Sequence, residues 1–304
     1  EVAHEPSREK PYAPGTLELR HFSESRLFTG FSEAGLDSLK RTLLRYRHTK
    51  WRGVEVVFGL GSRRSELSAL ALLSILEALS DVADNPNHIC KEFHLSHMDL
   101  TGDSYLTLAE LNRRYIHNFF SGLESLTYEN ISVVVDGNQP HFVPSFGELL
   151  MQSLCSVPTL GGISLGSQEK RAPHILPARA FHPITDYLNN ISSLFLGFTL
   201  QDEDILALCN GLRNNTELET LDINVHGELR NPTACGTAMK ALLQGKQRLQ
   251  RIYVFTPRTG AREFGDDRRG KIQDELLLGI IQGLTLHKNI RVFDMNVWIS
   301  SIPI

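Results

Sequence analysis

The sequence predicts an α/β solenoid, a one-layer parallel sheet with helices on one side only. Three observations predict it. An apolar spacing L-x-x-L-x-L recurs along the chain, each interval between copies holds a helix-like stretch, and turn residues restart each copy. One such unit cannot bury its own apolar face, so neighbouring units must stack.

The copies run from a degenerate first, Pro14, Leu17 and Leu19, to Trp51, Val54, Val56 and then Cys90, Phe93, Leu95. Next come Tyr128, Ile131, Val133; Leu160, Ile163, Leu165; and Ile191, Leu194, Leu196. Leu218, Leu221, Ile223; Leu249, Ile252, Val254; and Ile290, Phe293, Met295 complete the series. The intervals between copies are 37, 39, 38, 32, 31, 27, 31 and 41 residues. Within each copy the last two apolar residues stand two apart, which puts both on one face of a strand. Helical spacing predicts Leu36–Tyr46, Leu67–Leu79, Leu106–Leu123, Phe146–Leu154, Ile205–Leu212, Ala238–Leu243 and Leu276–Leu286. Asn189-Asn190, Asn214-Asn215, Lys246-Gln247 and Lys288-Asn289 supply the turns that restart strands. Residues 1–13 read as a flexible lead-in, and 14–304 as one domain of eight to nine irregular repeats. Gly-, Pro- or charge-rich loops are expected at Gly137–Ser145, Gly166–Pro177 and Pro257–Lys271.

The 304 residues suffice for a sizeable core without metals or disulfides. Lys and Arg number 31 against 35 Asp and Glu, a net charge of −4, which argues against a broadly basic nucleic-acid or membrane surface. No apolar run is long enough to span a bilayer, since Leu67–Leu79 is short and broken by Ser68, Ser74 and Glu77. The start, at Glu1, lacks an apolar signal core, so the chain reads as a mature or excised fragment, part of a larger chain or complex. Cys90, Cys155, Cys209 and Cys235 stand far apart, and buried reduced thiols in an intracellular, cytoplasmic protein are expected. Sequons at Asn130, Asn190 and Asn214 oppose that location only weakly.

The stretch Leu208-Cys-Asn-Gly-Leu212-Arg-Asn-Asn-Thr-Glu-Leu218-Glu-Thr-Leu221-Asp-Ile223 resembles a leucine-rich repeat of the ribonuclease-inhibitor type. The resemblance covers about residues 14–304 and is strongest over 191–254. It implies a horseshoe whose parallel strands line the concave face and whose helices cover the convex face. In that family an Asn or Cys usually stands three residues after the third strand anchor and bonds neighbouring turns. Here those places hold Gly59, Met98, Asp136, Gln168, Thr199, His226, Pro257 and Trp298, so the repeats are divergent. Some members of the family accelerate GTP hydrolysis, but no position matches a catalytic arginine or a supporting asparagine motif. The structural rival is a Rossmann-like sheet, whose central strands are apolar on both faces. Thr220-Leu221-Asp222-Ile223-Asn224 and Phe93-His94-Leu95-Ser96 alternate instead.

Several local motifs compete with this reading. Gly59-Leu60-Gly61 sits where a dinucleotide fingerprint would, but Arg64 replaces the third glycine, and a plain turn is expected. Asp99, Thr101, Asp103, Tyr105, Thr107 and Glu110 resemble the ligand positions of a twelve-residue calcium loop, so the alternative function is a calcium-binding regulatory module or, as the family resemblance implies, a GTPase-activating-type repeat protein. Ser104 takes the place where the sharp turn wants glycine, and Thr107 or Ser104 equally suits a helix N-cap. Cys90, His94 and His97 show a C-x3-H-x2-H order, yet an offset of three points strand imidazoles to opposite faces. Arg258, Arg262, Arg268, Arg269 and Lys271 alternate with Glu263, Asp266 and Asp267, which reads as a solvated loop. No P-loop, nucleophile elbow or HExxH occurs, and no cofactor is expected.

Residues between the second and third anchors should line the concavity: Glu18, Glu55, His94, Ser132, Ser164, Phe195, Asp222, Tyr253 and Asp294. Two residues on, the row reads Arg20, Val57, Ser96, Val134, Gly166, Gly197, Asn224, Phe255 and Asn296. Phe195, Tyr253 and Phe255, joined by Phe198, exceed what a solvated surface needs. With Asp222 and Asn224 they form the candidate site for another protein. The expected function is non-enzymatic protein recognition or scaffolding.

Overall fold

The computed structural model describes residues 16–21, 27–28, 33–45, 53–60, 63–81, 90–96, 98–101, 106–129, 132–133, 145–166, 181–256, 272–285 and 287–296. The lead-in at 1–13, the basic cluster at 258–271 and most of the three expected loops lie outside them.

The apolar pairs of the repeats form strands, because two residues set two apart can both be buried only from an extended backbone. The strands are β1 Thr16–His21, β2 Leu27–Phe28, β3 Gly53–Leu60, β4 Arg63–Ser68, β5 Glu92–Ser96, β6 Met98–Thr101 and β7 Ser125–Glu129. They continue with β8 Ser132–Val133, β9 Gly162–Leu165, β10 Ser193–Leu200, β11 Thr220–Val225, β12 Arg251–Phe255 and β13 Val292–Asn296. The order β1-β3-β5-β7-β9-β10-β11-β12-β13 is parallel throughout, each strand pairing with the next in sequence. A second parallel strip, β2-β4-β6-β8, meets the first through a short antiparallel contact, Gly59 with Arg64 and Leu60 with Arg63. Gly59 and Leu60 therefore pair with β4, which follows β3 before any helix, and Gly61 lies outside the described residues.

Helices follow the strands: Glu33–Arg45, Ala69–Asp81, Leu108–Leu111 running on as π-helical Asn112–Phe120, Phe146–Cys155, Asp202–Gly211, Pro232–Gln244 and Asp274–Leu284. A 3₁₀ segment, His182–Asn190, precedes β10. Consecutive helical segments pack on one another in chain order. Their starts are capped where the sequence supplies oxygen acceptors. Ser145 and Glu148 form a reciprocal capping box at 3.3 and 2.8 Å, and Asn231 accepts from the Ala234 amide at 3.2 Å.

Burial alternates along β7, β9, β11 and β12 and through the first residues of β5 and β10. The inward residues Phe93, Leu95, Leu126, Tyr128, Ile163, Leu165, Leu194, Leu196, Leu221, Ile223, Ile252 and Val254 are buried, while His94, Thr127, Ser164, Phe195, Asp222 and Tyr253 are half-buried. The ring of Phe93 meets Phe120 edge-on at 4.7 Å, and Phe120 meets Phe119 at 4.9 Å, so aromatic packing joins strand to helix.

One repeat falls in a different place from the expected one. The fourth copy is Leu123, Leu126 and Tyr128, not Tyr128, Ile131 and Val133. Leu126 pairs with Phe93 and Ile163, and Tyr128 with Leu95 and Leu165. Ser132 and Val133 lie instead in the second strip, against Asp99 and Leu100. Both spacings fit L-x-x-L-x-L and share Tyr128, but only the earlier one lets the helix Leu108–Phe120 close directly onto its strand.

Polar side chains tie each later unit to the one before it. Three residues before the leading anchors Leu218, Leu249 and Ile290 stand Asn215, Lys246 and His287. Asn215 Nδ2 donates to the carbonyls of Leu188 and Ile191, while its Oδ1 accepts from the amides of Glu217 and Leu218, each at 2.8 Å. Lys246 Nζ donates to the carbonyls of Leu212, Arg213 and Asn215. His287 Nε2 meets the Leu243 carbonyl. These carbonyls lie at or just beyond helix ends, and those of Leu188, Leu212 and Leu243 also accept a turn amide. Glycine brings two of the helices together: a Cβ on Gly279 would collide with the backbone carbonyl of Gly236.

Replacing Lys246 by methionine keeps the apolar stem but takes the ammonium donor from three carbonyls, of which Leu212 keeps the Asn215 amide. Lys246→Met is expected to lower stability by about 3 kcal/mol, measured by urea denaturation, because buried unsatisfied polar groups are costly.

Candidate functional site

Parallel pairing fixes which outward side chains become neighbours. The first outward row runs His94, Thr127, Ser164, Phe195, Asp222, Tyr253 and Asp294, each opposite the next, and Glu18 and Glu55 hold the same register positions on β1 and β3. Neighbouring strands lie about 4.8 Å apart, so Phe195 and Tyr253 stand about 10 Å apart with Asp222 between them. Asn224 lies opposite Phe255 and Phe255 opposite Asn296 in the second row. Tyr253 and Phe255 are stacked, with ring centroids 6.4 Å apart and planes 13° from parallel. Phe195, Asp222, Asn224, Tyr253 and Phe255 are all half-buried, and Asp294 is exposed. The structure thus brings five of the six candidate residues onto one surface.

Phe198 is the exception. Its ring is buried, 5.2 Å from the Phe181 ring, and belongs to the core. The cause is a shift in register between Leu196 and Thr199, where two extra residues, Gly197 and Phe198, enter β10. The shift also puts Thr199, rather than Gly197, opposite Asn224. Gly166, with φ of +106°, lies against the backbone of Gly197, and a Cβ there would come within 2.8 Å. Thr127 replaces Ser132 in the first outward row, following the relocated fourth repeat, and Val134 lies outside the described residues.

The calcium-loop candidates are dispersed over different elements. Asp99 and Thr101 lie in β6, where Leu95 and Met98 also belong to strands and not to an entering helix. Thr107 is the N-cap of the helix starting at Leu108, accepting from the Glu110 amide at 3.2 Å. Glu110 pairs with Arg114 at 2.9 Å, one turn along the same helix. Asp103 and Tyr105 lie outside the described residues. Among the described residues no three His, Cys, Asp or Glu side chains group as metal ligands, and no helix is long and apolar enough to cross a membrane. Cys90 is buried, with its thiol 3.2 Å from the Glu92 carbonyl, while His94 takes its place in the outward row and His97 lies outside the described residues.

All four cysteines are buried, and none forms a disulfide. Burial pushes the Cys209 thiol up to about 12, with Cys235 adding to it, and pushes Cys235 up to about 11 with help from Asp202. Thiols so far above neutrality hold their proton and are poor nucleophiles.

With Thr107 engaged as a cap, Thr107→Ala is expected to cost about 1 kcal/mol of stability. Urea unfolding with and without millimolar calcium checks this. The loss should be equal in both, whereas a calcium loop would make the wild-type chain more stable with the ion.

Neither the scan against protein-family models nor the search of curated proteins finds a match for this chain.

Proposed function

We propose that the chain is a divergent leucine-rich-repeat solenoid of the ribonuclease-inhibitor-like kind. In this reading it acts as a non-enzymatic protein-recognition or scaffold module through the concave face of a horseshoe. The observation that carries the proposal is the in-register row Phe195–Asp222–Tyr253, with Phe255 stacked beside it, on the half-exposed face of a parallel sheet. Two ring walls around a carboxylate suit a partner segment that offers an apolar anchor next to a Lys or Arg. The side chains stand on paired strands rather than on loops, so their geometry is set before binding and little ordering cost remains. Four thiols that form no disulfide fit a reducing, intracellular setting. The net charge of −4 favours a protein partner over nucleic acid.

Peptides selected from a random library against the whole chain provide the test. Enriched sequences should carry an aromatic or aliphatic residue adjacent to Lys or Arg. Their affinity should fall at least about thirtyfold for the double variant Phe195→Ala with Tyr253→Ala. It should stay unchanged for Leu206→Ala, on the exposed side of the helix Asp202–Gly211. Equal binding to the double variant, or loss with Leu206→Ala, would place recognition elsewhere.

A further inference from the structure

The inward row ends in an exposed ring. Phe93, Leu126, Ile163, Leu194, Leu221 and Ile252 occupy the same register position on successive strands, and none is more than 2% exposed. Phe293 is the next residue of that row, and it is 46% exposed. The helix Asp274–Leu284 repeats the pattern. Its Gly279 and Gly283 face the preceding helix, while Leu278 and Ile281 turn away and are 55% and 44% exposed. The outer edge of β13 has no strand partner among the described residues. Open edges and apolar ends of this sort invite pairing.

The charges around this end are arranged in two groups. Asp274 and Glu275 open the helix, and Lys288 and Arg291 follow its C-terminal end. All four are exposed, and none has an ion-pair partner among the described residues. Acidic at one end, apolar in the middle and basic at the other, the stripe is complementary to itself when turned through 180°.

We propose that this end of the sheet pairs with the same end of a second copy of the chain about a two-fold axis. The two helices then lie side by side and antiparallel, with Leu278 and Ile281 of each copy in contact. Asp274 and Glu275 of one copy meet Lys288 and Arg291 of the other. The two β13 edges join antiparallel, and a register centred on Phe293 sets Phe293 against its own counterpart and Val292 against Asp294. That register keeps Asp294 from facing Asp294, since like charges directly opposite destabilise a pair. The interface is isologous and closed, so assembly stops at two copies. An 11-residue helix is about 16 Å long, and one helix with one strand makes an interface at the small end of the stable range. The dimer is therefore weak and concentration-dependent, and it leaves the Phe195–Tyr253 surface free.

Sedimentation velocity of the whole chain from about 1 to about 100 µM tests this, spanning the range of a micromolar Kd. The sedimentation coefficient should rise with concentration to that of a dimer. Leu278→Asp should hold the chain as a monomer across the range. Glu275→Lys, an exposed change that leaves the core untouched, should weaken association about tenfold, and adding Lys288→Glu should restore it. The swap decides the matter even if Leu278→Asp fails to fold. A wild-type chain that stays monomeric at the highest concentration would overturn the proposal, as would a Glu275→Lys variant that associates like wild type. Trp298 emission in a Trp51→Phe chain would then identify the cover: a red shift on Leu278→Asp assigns residues 297–304 to this face.

Discussion

A strand and its helix leave apolar surface on both flanks, and only a neighbouring unit on each side can bury it. The rest of the structure depends on this constraint. It sets one inward side chain per strand against the next, from Phe93 through Ile252, each almost wholly shielded from water. Burying an aliphatic or aromatic side chain contributes roughly 1.5–3 kcal/mol, and each unit gains that contribution only if its neighbour is in register. A slip of one residue would turn the whole inward row outward. Tight control of the inward row therefore fixes the outward row as well. The neighbours Phe195, Asp222 and Tyr253 are a consequence of how Leu194, Leu221 and Ile252 pack.

Polar groups reinforce the same stacking from the turns. Asn215, Lys246 and His287 each reach from one unit to the backbone carbonyls of the unit before it. They do so at the helix-to-strand turn, whereas the resemblance placed the inter-repeat link just after the strand. Burial pushes the Lys246 ammonium below its ordinary pKa, and its three carbonyl partners compensate the charge there. Glycine lets the last two helices approach to backbone contact, so the final unit is held by close packing as well as by hydrogen bonds.

Much of this was legible from spacing alone, because the strands need apolar residues two apart and the helices need them three and four apart. The pairs Val54/Val56, Phe93/Leu95, Ile163/Leu165 and Ile252/Val254 align in the register their spacing predicts. The fourth repeat was displaced by five residues because Tyr128 serves equally as a first or a third anchor, and only contact with the preceding helix separates the two. The strip β2-β4-β6-β8 was not foreseen, since strands of two to six residues with polar side chains carry little periodic signal. Phe198 was placed outward because strict alternation was extended through β10. The two-residue shift at Gly197 and Phe198 leaves no trace in the apolar pattern, although a glycine inside a strand is a known sign of irregular pairing. In the calcium-like stretch, Thr107 and Glu110 match ligand positions because helix capping and cation binding call for the same oxygen-bearing residues.

Hydrogen exchange of the backbone amides, measured on the dilute chain, tests the dependence of each unit on its neighbours most directly. If stability accumulates through stacking, the amides of β11, flanked on both sides, exchange slowest. Those of β13, flanked among the described residues only by β12, should open at markedly lower free energy, well before global unfolding. Equal protection of β11 and β13 in the dilute chain would mean that the units are held by something other than their neighbours, and would contradict this reading of the fold.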